Sequence, residues 1–276
     1  MQNLDKRNIV LFVAVVYVLT YALNFYIYLQ GGFVSQIAII IVPLQMLIPA
    51  LVAAALILKE RGKFRDYGFS FGKIRFYLLA YFLFVGYHLV HSLVSAAIGL
   101  GEFVPLAEGF SRIAPGMQWS VWQIVLVVFI LGPVQNIVFG FGEEFGWRGY
   151  LVNKLLPWGL WNTILVSGII WGLWHAPLIL MEHNFPENPY LGILIMTLAT
   201  ISLGAVLIWL RLKTGSAVVV GFAHGVLNGT LFLGGAFVPT ASMLWVNPIG
   251  LIGLPLLTLL AYSLFRFFPV RVNINA

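Results

Sequence analysis

Residues 9–29 read IVLFVAVVYVLTYALNFYIYL, an almost continuous apolar stretch of 21 residues. A helix of about 20 apolar residues crosses the hydrocarbon core of a bilayer. The stretch exceeds the roughly 7–15 apolar residues of a signal peptide, and no small-residue cleavage pattern follows it. We therefore interpret it as a retained first transmembrane helix, preceded by Lys6 and Arg7.

Seven further apolar runs of comparable length follow. The eight candidate spans cover residues 9–29, 36–58, 74–99, 119–141, 160–181, 191–210, 216–234 and 246–268. Runs this long and continuously apolar exclude the alternating strands of a transmembrane β-barrel. The sequence predicts an all-α polytopic membrane protein with about eight transmembrane helices in a single bundle. We treat residues 1–276 as one transmembrane domain, and residues 119–234 as the core that carries the motifs described below.

The composition agrees with a lipid-facing surface. Of the 276 residues, 61% are hydrophobic and 9% are charged, whereas a soluble domain carries roughly 25% charged residues. The chain has no cysteine, which excludes disulfides, thiolate metal sites and cysteine nucleophiles. We expect a multi-pass protein of the cell membrane, with membrane lipid as a partner and no nucleic acid. The oligomeric state cannot be predicted from the sequence.

The basic residues predict the orientation of the bundle. If the N-terminus is cytoplasmic, only Arg112 of the 15 Lys and Arg residues falls in an outer loop, a strong positive-inside bias. Both termini are then cytoplasmic. The basic stretch at residues 59–75 is expected to lie on the inner leaflet, against anionic lipid.

Two adjacent glutamates end the fourth run, in the stretch GFGEEFGWRG of residues 140–149. If the helix continues, Glu144 and Arg148 lie on one face and can pair. Glu143 then points about 100° away and is free to act as a general base. The alternative is a glutamate pair that caps the helix end at the membrane interface.

Two other runs contain histidines with polar or aromatic neighbours at helical spacing. His175 follows Trp171 by one turn and precedes Pro177, which weakens the helix. His224 and Asn228 are four apart on one face, so both can donate hydrogen bonds to a developing oxyanion. Simple bonding between helices is the alternative for each of these residues.

Other residues narrow the choice of chemistry. The only aspartates, Asp5 and Asp66, fall outside the predicted spans, which excludes an intramembrane aspartyl protease. No His-Glu-x-x-His zincin motif is present, and no Gly-x-Ser pattern lies within a predicted span, so a serine mechanism has no visible nucleophile there. His88 and His91 are predicted to form hydrogen bonds inside the bundle.

Three motifs in this order on three predicted helices resemble one family. They are Glu143-Glu144-x-x-x-Arg148, Trp171-x-x-x-His175 and His224-x-x-x-Asn228. The chain resembles the CAAX-protease and bacteriocin-processing membrane proteins, also called Abi or CPBP, which include the Rce1-like prenyl-protein endopeptidases. One departure is Trp171, where the family often has phenylalanine, and we interpret it as a tolerant packing position.

The resemblance implies a glutamate-dependent intramembrane endopeptidase that acts on a peptide or protein. By this analogy Glu143 and His175 activate a water molecule, and His224 and Asn228 stabilise the oxyanion. Glu144 and Arg148 orient and charge-balance the site. Prenylated C-terminal tetrapeptides, peptide pheromones, bacteriocin precursors and signal-peptide remnants are all candidate substrates. No cofactor is expected.

Three other interpretations stay open. Glu143, His175 and His224 could instead supply the protein ligands of a catalytic zinc. A membrane scaffold or bacteriocin-immunity protein would share the motifs without catalysis. A transporter would also suit an intramembrane polar cluster, but the halves of the chain show no visible symmetry.

The protease hypothesis makes one demand on geometry. Glu143 lies at the end of the fourth run, whereas His175 lies well inside the fifth, which separates them by about 20 Å along the helices. The fourth helix must therefore extend beyond residue 141, or the fifth must begin later, near Asn162 or Thr163.

Overall fold

The computed structural model describes residues 2–116 and 118–270, with side chains from Lys6 onward. The described residues are 77% helical. The α-helices are α1 (Gln2–Leu29), α2 (Gln36–Gln45), α3 (Ile48–Lys59), α4 (Ile74–Ala97), α5 (Leu106–Ile113), α6 (Val121–Leu126), α7 (Gly132–Glu144), α8 (Val152–Leu155), α9 (Leu160–Trp174), α10 (Ala176–Leu180), α11 (Pro189–Thr214), α12 (Ala217–Gly229), α13 (Met243–Val246) and α14 (Gly253–Phe267).

Shorter regular segments connect or extend these helices. Two are π-helical (Val127–Leu131 and Phe145–Leu151) and three are 3₁₀ turns (Phe64–Tyr67, Leu156–Trp158 and Leu231–Gly235). Two strands, β1 (Gly101–Phe103) and β2 (Phe237–Pro239), pair antiparallel with Glu102 opposite Val238.

Seven helical runs within the described residues are long and apolar enough to cross a membrane. They are Lys6–Leu29, Gln36–Lys59, Ile74–Ala97, Val121–Trp158, Leu160–Leu180, Pro189–Thr214 and Ala217–Gly235. The predicted class, an all-α multi-pass integral membrane protein, is confirmed. The eighth predicted run contains the shorter apolar helix α14, so a count of eight and the orientation of the bundle stay predictions.

The fourth predicted span ends too early. Helical structure continues from Val121 to Trp158, so Glu143 and Glu144 lie inside the helical run and not at its end. The hydropathy pattern stops at residue 141 because charged residues follow, but these charges are buried and paired. The prediction that Arg148 lies in an inner loop is also wrong, because its side chain is only 2% exposed and lies within the bundle.

Glycines bring α7 and α12 into close contact. A Cβ on Gly221 would lie 2.5 Å from Cα of Phe141, and one on Gly140 would lie 2.4 Å from the carbonyl oxygen of Gly221. Small residues of this kind allow the backbones of membrane helices to approach. The contact places the carboxylates of α7 beside the imidazole of His224 on α12.

Two membrane spans have an interruption in their regular helical hydrogen bonding near a proline. Pro43 lies in α2, and Met46 and Leu47, which keep helical φ and ψ angles, separate α2 from α3. The fifth span breaks at His175, which lies between α9 and α10 and just before Pro177. A proline removes a helical hydrogen bond and so favours such breaks.

Candidate active site

The first motif forms a buried ion pair. Arg148 Nη1 donates to Glu144 Oε1 at 3.0 Å, and these side chains are 2% and 0% exposed. The guanidinium carbon also lies 3.9 Å from the centroid of the Trp171 ring. Gly204 on α11 leaves the space that Arg148 occupies, because a Cβ there would lie 3.3 Å from Nη2. The pairing predicted from the four-residue spacing is present.

Arg148 belongs to the π-helical segment that follows α7. A π-helical turn is rare and occurs frequently at functional sites. The wider turn carries the chain past the paired glutamates without ending the helix.

Glu143 is held by a different partner. Its Oε2 accepts a hydrogen bond from the indole N–H of Trp171 at 2.8 Å, and its side chain is buried. The interpretation of Trp171 as a tolerant packing position is therefore incomplete, because a phenylalanine cannot make this bond. No pattern in the sequence distinguished this indole from a packing aromatic.

His175 lies at the break in the fifth span. Its Nδ1 is 2.8 Å from the carbonyl oxygen of Trp171. Because a carbonyl only accepts, Nδ1 carries the proton, and Nε2 of the neutral ring carries the lone pair. His175 is thus prepared to accept a proton or to bind a cation.

His224 joins the glutamates from α12. Its Nδ1 lies 2.8 Å from Glu144 Oε1, the same oxygen that accepts from Arg148. Two carboxylates, Glu143 and Glu144, face one guanidinium, so a further proton or positive charge balances the site. Asn228, one turn later on α12, is exposed to the interior cavity.

A cavity of about 310 Å³ brings the predicted residues together. Glu143, His175, His224 and Asn228 all line it, although they come from three separate spans. Trp171 lines it as well, between Glu143 and His175. The demand that the protease hypothesis made on geometry is met, because the fourth helical run extends far enough to carry Glu143 to the level of His175.

Loop residues that sequence reasoning missed complete the cavity. They are His183, Asn184, Asn247, Pro248 and Ile249. Burial lowers the pKa of His183 to about 4, so its imidazole is neutral near pH 7. His183 and Asn184 lie outside the predicted spans, where a polar residue carries no signal that separates it from an ordinary loop residue. Asn247 lies at the start of the eighth predicted run, where it was taken as part of an apolar helix.

The other intramembrane histidines lie at the edge of this site. His88 is 1% exposed, lines the cavity and bonds through Nε2 to the carbonyl oxygen of Leu227 at 2.9 Å. His91 is fully buried one turn further along α4. Their predicted place inside the bundle is confirmed.

The described residues contain no cluster of side chains that would hold a metal ion as the metal-dependent alternative requires. Within residues 2–116 and 118–270, no group of three His, Cys, Asp or Glu side chains is close enough to hold a metal ion. Glu143, His175 and His224 share the cavity without forming such a group.

Two comparisons with known proteins match the part of the chain that carries the motifs. Residues 117–230 match a family model described as Type II CAAX prenyl endopeptidase Rce1-like. CAAX prenyl protease 2 of Methanococcus maripaludis is 30% identical over 93 residues, which cover 31% of this chain and 34% of that protein. The chain thus spans about a third of the length of this curated relative. The resemblance predicted from the three motifs is confirmed.

Proposed function

Because this chain has an Rce1-like core, we propose that it is an intramembrane endopeptidase that hydrolyses a peptide bond with a water molecule activated by Glu143 and His175. One observation carries the proposal. Four candidate residues from three spans, Glu143, His175, His224 and Asn228, line a single cavity inside the bundle. Interhelical clamps would not need to share a cavity.

Glu143 is the general base in this proposal. Its Oε2 is engaged by Trp171, which fixes the carboxylate and leaves the other oxygen for a water molecule. Water adds to the scissile carbonyl carbon while its proton passes to the carboxylate. The same proton then goes to the leaving amine as the carbon–nitrogen bond breaks.

His175 shares the water molecule with Glu143. The bond from Nδ1 to the Trp171 carbonyl fixes both the ring and its tautomer, so that Nε2 accepts. Trp171 therefore positions both residues, one through its side chain and one through its backbone. This arrangement holds a weak nucleophile at a fixed distance from two acceptors.

Asn228 and His224 stabilise the oxyanion in this proposal. The amide of Asn228 makes no hydrogen bond to another described residue and can donate into the cavity. His224 uses Nδ1 for Glu144, so donation to an oxyanion requires a proton on Nε2 as well. Glu144 and Arg148 support His224 and balance its charge.

The test is a comparison of membrane-associated peptides from cells that express wild type, Glu143→Gln or Glu102→Gln at equal membrane levels. Glu102 is exposed in β1 and provides the same chemical change away from the cavity. We expect mass spectrometry to find a precursor gained and a product lost with Glu143→Gln alone. Identical peptide profiles for the wild type and Glu143→Gln would contradict the proposal. If Glu143→Gln also restored the growth or bacteriocin resistance of a deletion strain as well as the wild type does, the scaffold or immunity interpretation would be supported.

A further inference from the structure

The bundle has two ends, each held together by its own contacts. At one end, which we call the basic end, the 60–73 loop bonds to α12 through Ala217 N and Gly68 O at 2.8 Å. At this same end Lys154 Nζ lies 2.7 Å from Glu60. The basic end comprises residues 60–73, 159 and 215–216 with the adjoining helix ends.

At the other end, which we call the cavity end, loops 30–35, 98–120, 181–188 and 236–252 meet. Strands β1 and β2 pair there. Asn247 Nδ2 donates to the Asn184 carbonyl oxygen at 3.3 Å, and the rings of Phe33 and His183 lie 4.6 Å apart. Every loop of the cavity end therefore contacts another loop of that end.

The basic residues are concentrated at one of the two ends. Within the described residues, every Lys and Arg lies at the basic end or on an adjoining helix end, except Arg112 and the buried Arg148. The cavity end carries glutamates: Glu102, Glu108, Glu182 and Glu187. Because basic loops tend to remain in the cytoplasm, the positive-inside rule predicts that the basic end is cytoplasmic.

The cavity reaches only one of these ends. All loop residues that line it belong to loops 181–188 and 236–252 of the cavity end. No residue of loops 60–73 or 215–216 lines it. The cavity therefore extends from Glu143 and His224, inside the bundle, towards the cavity end and away from the basic end.

We propose that this cavity opens on the non-cytoplasmic side of the membrane, and that its substrate is a polypeptide segment presented there. The statement about substrate rests on the proposed function, whereas the statement about opening does not. A cleavage site in the cytoplasm, such as a prenylated C-terminus of a cytoplasmic protein, cannot enter from this side. The substrate is then an exported or membrane-anchored polypeptide that is cut outside the cytoplasm.

The lining indicates the chemistry of the segment that enters. Leu178, Met196, Leu203 and Leu231 supply apolar wall, whereas Asn184 and Asn247 supply polar groups at the loop side. The volume of about 310 Å³ is at the lower end of the roughly 300–1,000 Å³ of ligand sites. A short extended stretch with apolar side chains fits this combination.

The absence of cysteine makes the opening directly testable. Ser111→Cys reports on an exposed position of the cavity end, and Asp66→Cys on an exposed position of the basic end. Leu231→Cys and Ile249→Cys report on the cavity wall, and either serves if the other fails to reach the membrane. Each variant is treated with a charged, membrane-impermeant maleimide in intact spheroplasts and again after permeabilisation.

We expect Ser111→Cys and a cavity variant to be labelled in intact spheroplasts, and Asp66→Cys only after permeabilisation. The reverse pattern, or labelling of both ends in intact spheroplasts, would overturn the proposal. Labelling of Ser111→Cys without the cavity variants would show that the cavity does not open there. Because labelling does not depend on catalysis, loss of the proposed protease activity leaves this result standing, and the two failures are distinguishable.

Discussion

The indole N–H of Trp171 donates a hydrogen bond to Oε2 of Glu143 at 2.8 Å, deep inside the membrane bundle. The same residue accepts from His175 through its carbonyl oxygen and stacks on the guanidinium of Arg148. A residue that the sequence predicted to be only a packing aromatic thus contacts Glu143, His175 and Arg148.

Replacing Trp171 by phenylalanine separates these roles. The ring of Trp171→Phe can still cover Arg148, and the backbone bond to His175 remains. A hydrogen bond to a charged group contributes about 1.5–3 kcal/mol, so we expect cleavage to slow about 10- to 100-fold with little loss of thermal stability. Trp161→Phe, 69% exposed on the same helix, is the matched control and should cleave at the wild-type rate. A wild-type rate for Trp171→Phe would show that the indole N–H does not position Glu143.

The buried ion pair can be compared with an exposed pair of the same spacing. Arg148→Met leaves the buried Glu144 with His224 but without the guanidinium, and removal of one partner from a buried ion pair lowers the free energy of unfolding by about 3–5 kcal/mol. Arg112→Met breaks the Arg112–Glu108 pair, whose side chains are about half exposed, and should cost only about 0–1 kcal/mol. The free energy of unfolding of each purified variant in detergent, compared with that of the wild type, measures both losses of stability. Equal losses would contradict the view that Arg148 neutralises a buried carboxylate.

The basic end should respond to acid through Glu60. Burial alone would raise the pKa of Glu60, but hydrogen bonds from Lys154, Tyr150 and Tyr67 and the charge of Lys154 outweigh it and lower the pKa below 4.5. A carboxyl group with a lowered folded-state pKa stabilises the fold above its unfolded pKa, and this stability is lost as the pH falls through the folded value. We expect the wild type to lose stability below about pH 4.5. Thermal unfolding of Glu60→Gln should show a smaller loss over the same range, and parallel curves would contradict this assignment.

Metal dependence is decided by chelation. The water mechanism uses only groups of the chain, so cleavage should continue after dialysis against a chelator. Loss of cleavage that zinc restores would instead favour Glu143, His175 and His224 as ligands. Metal analysis of the same purified sample is the control, because tightly held metal would survive dialysis.

The sequence predicted the elements whose signal is local. Apolar length revealed the spans, and the spacing of Glu144 with Arg148 predicted a pair that the structure contains. The fourth helical run was cut short because hydropathy scores each charge as if it faced lipid, whereas Arg148 and Glu144 neutralise each other inside the bundle. The cavity wall from loops 181–188 and 236–252 depends on how distant segments fold together, and no local pattern carries that information.

The central claim, that Glu143 is the base of a proteolytic site, is tested most directly by following the oxygen of water. Detergent-solubilised membranes of cells that express Glu143→Gln supply unprocessed substrate, and purified wild type or purified Glu143→Gln is added in H₂¹⁸O. Hydrolysis leaves ¹⁸O in the new C-terminal carboxyl group, which mass spectrometry detects. We predict labelled peptides that appear with the wild type and are absent with Glu143→Gln. The same labelled peptides with both proteins, or none with the wild type, would contradict the claim.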